Sequence, residues 1–318
     1  MVSIDALSWS RIGRVYRADK AGTWMNSHAF VPTPLVVDER TIRVFVAFLD
    51  PESRGRVGYV DVDAEDPTKI LRVSEQPVLD LGPPGAFDDS GVTPVQVLRI
   101  GEEIWLYYNG WQRSVGVPYF ILGGLAISRD GGESFERVQN VPVLERTNQN
   151  YLVRSTPFVM PPDDRHARWR MWLSAGQGQF IRPSGGAWAP IYGISYCESE
   201  NGIDWSRTDT EVVAPITPDE FGLTRPQIFG SGDDLVMLFS SRSTSRIYQM
   251  EWARSTDDGR TWRRTGTVAG FDAPREPWES EMVAFGTCVH TASGWLMFYN
   301  GNGYGREGFG VARAPTAS

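Results

Sequence analysis

The chain has 318 residues, of which 41% are hydrophobic and 22% charged, so it can bury a large core and has an ordinary globular composition. The net charge of −8 and the pI of about 5.1 argue against nucleic acid or an anionic membrane as the main partner. The N-terminus lacks the apolar region of a signal peptide and no run of about 18 apolar residues occurs, so we expect a cytoplasmic protein.

Strand patterns dominate the rest of the chain and recur in sets. The clearest are TIRVFVAF, EIWLYYNG, RWRMWLSA, DLVMLFSS and GWLMFYNG, all rich in β-branched and aromatic residues. Each follows an earlier strand with a shared signature. In chain order the signatures are Thr33-Pro34-Leu35, Thr93-Pro94-Val95, Thr156-Pro157-Phe158, Arg225-Pro226-Gln227 and Phe285-Gly286-Thr287. Five units at intervals of about 60 residues predict radial repetition, for which a five-bladed β-propeller is the natural closure.

Each unit continues with a third strand, and three units then have a turn of shared composition at residues 128–135, 199–205 and 255–262. These turns place Asp or Asn before Gly and end on an aromatic residue. Gly accepts positive φ and the Asx side chain bonds the adjacent backbone, so a tight turn is expected. The pattern resembles the Asp box of sialidase-type propellers, and we expect a structural role for it.

A fourth strand follows the turn in four units, whereas the fifth unit ends at GFGVARA. Residues 8–17 have the missing pattern and should pair as the outer strand of the last blade, which would remove an exposed edge. The sequence therefore predicts an all-β fold: a single domain over residues 1–318, built as a five-bladed β-propeller of four-stranded antiparallel blades.

Polar residues stand where each first strand begins and each second strand ends. In a propeller blade these two points lie on the same face, so their side chains should converge around one central funnel, as a ligand pocket requires. They are Trp24, Asn26, His28, Asp50, Asp88, Asp89, Ser90, Asn109, Trp111, Arg154, Ser155, Ser174, Gln177, Glu220, Arg225, Ser241, Arg242, Glu279, Glu281, Asn300, Asn302 and Tyr304.

Several segments resemble a known superfamily: FDDSGVTPV, LYYNGWQ, RWRMWLSAG, YCESENGIDW, WESEM and YNGNGYGREGFGVA. They are similar to segments of the five-bladed propellers related to glycoside hydrolases, which include arabinanases, xylosidases, invertases and mannoside phosphorylases, and in particular to uncharacterised bacterial members. The resemblance extends over about residues 20 to 315 and implies this fold and a carbohydrate ligand.

The acids of the superfamily do not transfer directly to this chain. Arabinanase and invertase types carry an Asp at the first strand entrance, an Asp in blade two and a Glu in blade three. Here the corresponding positions offer His28, either Asp88 or Asp89, and Arg154 with no obvious Glu. The chain resembles mannoside phosphorylases in having basic groups that could hold a phosphate.

Glycosyl transfer needs one carboxyl group that protonates the leaving oxygen and either a second carboxylate or an incoming phosphate. We predict Asp89 and Glu281 as the catalytic pair, with Asp88 and Glu279 as substitutes. The alternative is that these acids cap strand ends or pair with nearby arginines.

The remaining rim residues give the predicted ligand-binding set. It comprises His28, Asp50, Trp111, Arg154, Glu220, Arg225, Arg242, Asn300, Asn302 and Tyr304. The arginines among them could clamp a phosphate or a carboxylate, or could serve only in structural ion pairs.

The leading functional hypothesis is a carbohydrate-active enzyme of the glycoside hydrolase or phosphorylase type. It would act in the central funnel on a glycoside or a sugar-derived metabolite that could carry an anionic group. Two alternatives stay open: a biosynthetic tailoring enzyme that uses the propeller for non-hydrolytic chemistry, and a sugar-binding propeller without catalysis.

No cofactor or metal site is predicted. The run at residues 303–308 has GxGxxG spacing, but no helix follows it, so the nucleotide-binding context is missing. A calcium or sodium ion could occupy the central channel, but no sequence motif indicates one. The two cysteines, Cys197 and Cys288, lie in apolar strands and are expected to be buried free thiols.

Overall fold

The computed structural model describes residues 3–176, 178–182, 188–272 and 276–315. The described strands form five four-stranded antiparallel blades, as the repeats predict, after the N-terminal strand β1 (Ser10–Tyr16). Blade I contains β2 (Ser27–Val36), β3 (Thr41–Leu49), β4 (Gly55–Asp63) and β5 (Ile70–Val73). Blade II contains β6 (Gly91–Ile100), β7 (Glu103–Arg113), β8 (Tyr119–Ser128) and β9 (Glu136–Arg137).

Blade III contains β10 (Val153–Met160), β11 (Trp169–Gly176), β14 (Gly193–Ser199) and β15 (Thr210–Val213), with the small hairpin β12 (Phe180–Ile181) and β13 (Ala189–Pro190) inserted. Blade IV contains β16 (Glu220–Ser231), β17 (Asp234–Ser243), β18 (Gln249–Ser255) and β19 (Arg263–Thr267). Blade V contains β20 (Ala284–Thr291), β21 (Gly294–Asn300), β22 (Phe309–Ala314) and β1. A short parallel contact between β8 and β10 joins blades II and III.

Helical structure in the described residues is limited to single turns, 3₁₀ turns at Ile4–Ala6 and Pro277–Glu279 and the helical turn α1 (Asn302–Gly305). None of these is long and apolar enough to span a membrane.

The N-terminal strand closes the ring, which confirms the prediction. β1 pairs antiparallel with β22, with Ser10 opposite Arg313 and Tyr16 opposite Phe309. Just before it, Trp9 is only 2% exposed and packs between blades IV and V. The last blade therefore takes its outer strand from the opposite end of the chain.

The core lies between the blades. Among the described residues, five clusters of buried side chains each join two neighbouring blades around the ring. The second strands are packed on both faces, and all eight residues of β11 are buried. This explains why these strands read as continuous apolar runs in the sequence. Cys197 and Cys288 lie in this core as free thiols, as predicted, and burial raises the pKa of each.

The shared turns have the structural role that we expected. In two of them the backbone carbonyls of Gly202 and Gly259 accept a bond from the Trp of their own turn. The same carbonyls also accept from the preceding blade: Tyr107 Oη lies 2.7 Å from the Gly202 oxygen and Trp172 Nε1 lies 3.1 Å from the Gly259 oxygen. Each turn therefore fastens one blade to the previous one.

Every first strand contains a β-bulge at the repeat signature or, in blade I, just before it. The register between the first and second strands shifts by one residue at this point in all five blades. In four of them the extra residue has positive φ: Val31, Thr156, Arg225 and Phe285. The bulge in blade I therefore lies at Val31, two residues before the Thr33-Pro34 pair that the repeat alignment selects.

Side chains of the preceding blade stabilise these bulges. The backbone N–H of Val31 donates to Asn300 Oδ1 at 2.7 Å, and that of Thr156 donates to Asn109 Oδ1 at 2.7 Å. Since a bulge leaves a backbone group without its ladder partner, these amides replace the missing acceptor. The bulges thus turn one residue toward the axis in four of the five blades and lock neighbouring blades together.

Candidate ligand-binding site

A cavity of about 620 Å³ opens at the propeller axis, a volume typical of small-molecule sites. All five blades contribute to its wall. The lining residues most relevant to binding are His28, Phe30, Val31, Ser90, Thr93, Asn109, Trp111, Arg113, Tyr119, Ser155, Thr156, Tyr192, Thr224, Arg225, Arg242, Tyr248, Phe285 and Tyr304. The four bulge residues with positive φ all belong to this wall, so the repeat signature shapes the cavity.

The lining of the cavity is cationic in a protein whose net charge is negative. It includes Arg113, Arg225 and Arg242, while the described lining residues include no Asp or Glu. Arg113 donates to the backbone carbonyls of Glu52 and Ser53 rather than to a carboxylate. The cavity is therefore complementary to an anionic ligand.

Arg225 crosses the axis from blade IV and is 3% exposed. Its guanidinium donates to Pro32 O and Thr33 Oγ1 of blade I at 2.8 and 2.9 Å and to Pro94 O of blade II at 3.4 Å. It also donates to Thr287 Oγ1 of blade V at 2.9 Å. Burial lowers the pKa of Arg225 to about 9, so the group still carries its charge at neutral pH. The guanidinium of Arg225 therefore places a positive charge at the centre of the ring.

Arg242, on β17 of blade IV, lies in a cage of aromatic rings. Its guanidinium carbon is 4.4 Å from the ring centroid of Phe221, 5.4 Å from that of Tyr192 and 5.7 Å from that of Tyr248. These distances fit cation–π contacts. Its Nε atom is buried and has no hydrogen-bond partner in the described part of the chain.

His28 lines the cavity with a left-handed backbone, at φ 61°. Burial and the nearby Arg306 lower its pKa to about 4, so the imidazole is neutral at physiological pH. Nδ1 lies 2.9 Å from Ser27 Oγ. A neutral imidazole at this place can exchange hydrogen bonds with a ligand hydroxyl.

Two of the predicted catalytic acids are buried in ion pairs away from the cavity wall. Asp88 is 1% exposed and accepts bonds from Arg137 Nε at 2.7 Å and from Tyr108 Oη at 2.9 Å. Glu279 is 2% exposed and pairs with Arg11 at 2.9 Å. For these two carboxylates the structure supports the structural alternative.

The other two acids lie near the rim but not in the lining. Asp89 is half-buried and accepts bonds from the backbone N–H of Gly85 and from Ser90 Oγ, so it organises the loop before β6. Glu281 is exposed, and its backbone N–H donates to Asn302 Oδ1 at 2.8 Å. The structure therefore does not bring Asp89 and Glu281 together across the cavity.

Three further predicted binding residues form ion pairs within their own blades. Asp50 pairs with Arg54 and Arg56, and these bonds hold its pKa below the usual value despite burial, which acts in the other direction. Arg154 is 1% exposed and makes a bidentate pair with Asp209; Glu220 makes a bidentate pair with Arg264. None of the three lines the cavity.

The two predicted asparagines are also structural. Asn300 is fully buried and bonds Val31 and Ala29 of blade I, whereas Asn302 bonds backbone groups of the segment that precedes β20. The predicted residues that do meet in the cavity are His28, Trp111, Arg225, Arg242 and Tyr304. Gln177, which the sequence places on the rim, lies outside the described residues.

Sequence reasoning missed the tyrosines at the start of the third strands. Tyr119, Tyr192 and Tyr248 occupy this place in blades II, III and IV, and all three line the cavity. The start of the third strand lies beside the end of the second, so it faces the same funnel. The signal was present in the sequence as the recurring PYF, IYG and IYQ.

No group of three His, Cys, Asp or Glu side chains suited to a metal ion occurs in the described ranges. The polar groups of the cavity are instead guanidinium, phenol, imidazole, hydroxyl and amide groups. They can bind hydroxyls and an anion by hydrogen bonds and can stack a sugar ring, with Trp111 as the flat surface.

Comparison with known proteins gives sequence relatives in two strains of Mycobacterium tuberculosis and many structural neighbours. No family model matches the chain. The chain is 31% identical over 312 residues to the uncharacterized protein Rv1502 of Mycobacterium tuberculosis, covering 96% of this chain and 99% of that protein.

Solved structures share the fold at low identity. The structure of a complex of BT0996 and RGII matches with a TM-score of 0.70 and 16% identity, over 97% of this chain and 93% of the other. A structure from the GH130 family of mannoside phosphorylases matches with a TM-score of 0.70 and 14% identity, over 98% and 95%. The β-1,2-mannobiose phosphorylase of Listeria innocua matches with a TM-score of 0.62 and 13% identity, over 94% and 95%.

Proposed function

We propose that the chain is a carbohydrate-active protein that binds its ligand in the axial cavity. The chain belongs to the family of the mycobacterial protein Rv1502 and shares its fold with glycoside hydrolases and mannoside phosphorylases. Its ligand is a glycoside or sugar-derived metabolite that carries an anionic group. The observation that supports this most is the cavity wall itself, which presents arginines and aromatic rings and, among its described residues, no carboxylate.

A mechanism with two carboxylates does not fit this wall. Hydrolysis of a glycoside by the usual route needs two carboxyl groups on opposite sides of the scissile bond, about 5 to 9.5 Å apart. Asp88 and Glu279 are engaged in buried ion pairs, and Asp89 and Glu281 lie outside the lining. Any chemistry in the cavity therefore uses other groups, which favours a tailoring reaction over ordinary hydrolysis.

The aromatic wall accounts for recognition of a sugar ring. Trp111 is held by a bond from its Nε1 to Thr93 Oγ1 at 3.2 Å and by an edge contact with Tyr119, at 5.0 Å between ring centroids. A fixed indole offers its face to the C–H groups of a pyranose. Asn109, Thr93 and Ser155, from two neighbouring blades, supply amide and hydroxyl groups for the ring hydroxyls.

Acid–base chemistry in the cavity would fall to His28 and the tyrosines. The imidazole of His28 is neutral and bonds Ser27 Oγ and the Gly303 backbone, so a ligand hydroxyl could bond the ring by replacing one of these partners. Burial raises the pKa values of Tyr119 and Tyr248, so their hydroxyls stay protonated and act as donors. These groups suit proton transfer to or from a sugar-derived substrate and stabilisation of a developing negative charge.

The test compares a cavity residue with the predicted carboxylate pair. Trp111→Ala should weaken the binding of sugar phosphates and uronic acids by about tenfold, measured by titration calorimetry, because the stacking face is lost. The double variant Asp89→Asn with Glu281→Gln should bind and turn over ligands as the wild type does. Loss of turnover in the double variant with intact binding would restore the paired-carboxylate mechanism.

Phosphorolysis is the second candidate, favoured by the arginines of the cavity that pair with no carboxylate. In this reaction the glycosidic C–O bond breaks, a phosphate oxygen bonds to the anomeric carbon, and the leaving oxygen takes up a proton. Release of a sugar phosphate from β-linked mannosides only when phosphate is present would support it. Binding of sugars without any turnover would instead identify a non-catalytic sugar-binding propeller.

A further inference from the structure

Arg225, which is buried, and Arg242, which is half-buried, both belong to blade IV but differ in whether their donors are already used. Arg225 directs its Nε, Nη1 and Nη2 atoms to backbone carbonyls and hydroxyls of blades I, II and V. These contacts use four of its five N–H groups, so Arg225 contributes charge to the cavity but has only one N–H group left to offer a ligand. Its main role is to hold the inner strands together.

Arg242 is the opposite case. Its guanidinium hydrogen-bonds the hydroxyl of Tyr119 and is otherwise positioned by the faces of aromatic rings, which supply packing and cation–π attraction. No ion pair joins it to a carboxylate within the described ranges, and its Nε is buried without a partner. A cation held in this way is partly desolvated and has donors left for a ligand in the cavity.

Phenol hydroxyls surround this cation. Tyr192 Oη and Tyr248 Oη lie 3.2 Å apart and can bond each other, and the Tyr304 ring packs against Tyr248 at 6.1 Å between centroids. All three rings line the cavity. Because burial keeps the Tyr248 hydroxyl protonated, the cluster presents hydrogen-bond donors together with a positive charge.

The glycine at position 222 keeps this cluster compact. A Cβ atom there would lie 2.8 Å from Tyr192 Oη and 2.9 Å from Arg242 Nε, closer than packed atoms tolerate. Gly222 also pairs directly with Arg242 across β16 and β17. The absence of a side chain therefore allows Arg242 and Tyr192 to approach the strand backbone and face the axis together.

We propose that Arg242, with Tyr192 and Tyr248, is the recognition site for the anionic group of the ligand, a carboxylate or a phosphate. This inference rests on the proposed sugar-binding function and adds which residues bind the anionic group of the ligand. An anion gains charge-assisted bonds here that a neutral sugar cannot make, so a neutral ligand leaves the guanidinium unpaired. The sugar ring then extends from blade IV across the cavity toward Trp111 of blade II.

The experiment measures dissociation constants by titration calorimetry for mannose 1-phosphate, glucuronate, mannose and inorganic phosphate. The variants are Arg242→Met, which keeps the stacked stem, and Arg246→Met as the matched control. Arg246 is exposed on the loop that follows β17 and lies outside the cavity wall, so its replacement removes the same charge without touching the cluster. Melting curves establish that each variant is folded, and Tyr192→Phe replaces Arg242→Met if the latter is not.

The wild type should bind mannose 1-phosphate or glucuronate at least tenfold more tightly than mannose. Arg242→Met should weaken that binding about tenfold to a hundredfold and leave mannose binding unchanged, whereas Arg246→Met should change neither. Competition by inorganic phosphate alone would show that free phosphate is the anion. A preference for anionic sugars that survives in Arg242→Met, or is missing from the wild type, overturns the inference. If no sugar of any kind binds, the proposed function fails as well.

Discussion

At the scale of single residues, His28 combines three features: its backbone is left-handed, its side chain lines the cavity, and its imidazole is neutral. Non-glycine residues with positive φ are uncommon and often mark functional positions, since the conformation costs about 1 to 2 kcal/mol. Val31, Thr156, Arg225 and Phe285 share this conformation and also line the cavity. Strained backbone therefore coincides with the ligand site in this molecule.

The lowered pKa of His28 predicts a pH dependence of stability. The folded pKa of about 4 lies below the unfolded value near 6.5, so the unfolded chain binds more protons between these pH values. The free energy of unfolding of the wild type should then fall, relative to His28→Asn, as the pH drops from 6.5 to about 4. Asn accepts positive φ and does not titrate. Urea unfolding at pH 4 to 8 measures this, and parallel curves for the two proteins would contradict it.

At the scale of the strand, the β-bulge is the repeated device that builds both ring and cavity. It is stabilised from the preceding blade by Asn109, Ser240 or Asn300, each of which accepts from a backbone N–H at the next bulge. Farther along the first strands, Gln96 and Gln227 bond both backbone groups of Val159 and Cys288. Side-chain amides thus imitate strand pairing between the first strands of neighbouring blades, which do not form a backbone ladder with each other.

Asn300 offers the clearest test of this device. Asn300→Ala removes the acceptor of the Val31 N–H and the donor to Ala29 O and Gly308 O, all buried. Unsatisfied buried groups each cost about 1 to 3 kcal/mol, so a loss of about 3 kcal/mol in the free energy of unfolding is expected. Chemical denaturation would measure it. Asn140→Ala, at an exposed position, should change stability by less than about 0.5 kcal/mol, and equal effects of the two changes would refute the assignment.

At the scale of the whole molecule, the ring depends on two long-range closures. The N-terminal strand completes blade V, and segments before it bury Ile4, Leu7 and Trp9 against blades IV and V. Arg225 closes the interior, since its guanidinium bonds blades I, II and V at once. The first closure removes an exposed edge, and the second ties the inner strands at the axis.

Deletion of residues 1–17 should destabilise the whole protein. The segment buries Trp9 and three aliphatic side chains, each worth about 1.5 to 3 kcal/mol, and this sum is comparable to the total stability of a typical protein. The truncated chain should therefore melt far lower or fail to fold, as followed by circular dichroism and size-exclusion chromatography. A melting temperature equal to that of the full chain would show that the closure does not matter.

Arg225→Met should separate ring stability from ligand recognition. The variant leaves the Pro32 and Pro94 carbonyls without their donor, so its melting temperature should drop by several degrees. Because four of the five N–H groups of Arg225 are already used by the protein, the preference for anionic over neutral sugars should persist in the variant. Melting curves and calorimetry on the same preparation measure both. A full loss of anion preference with unchanged melting would reverse the roles assigned to Arg225 and Arg242.

The sequence by itself determined the repeat, the strands, the five-bladed ring, its N-terminal closure and the structural turns. These features are local or periodic: alternating and continuous apolar runs, Asx–Gly turns and a missing outer strand can all be read along one chain. The polar residues at strand ends could also be identified from the sequence, and five of the predicted binding residues do meet in the cavity.

Only the tertiary structure decided which polar side chains face the ligand and which face each other. Asp88 pairs with Arg137, which is 49 residues away in the chain, and Glu279 pairs with Arg11, which is 268 residues away. Successive residues at a strand end point in opposite directions, and a single bulge exchanges them, so position along the strand does not fix orientation. The charge of the cavity follows from that packing, because the carboxylates turn toward arginines in the protein interior and Arg242 is left facing the axis.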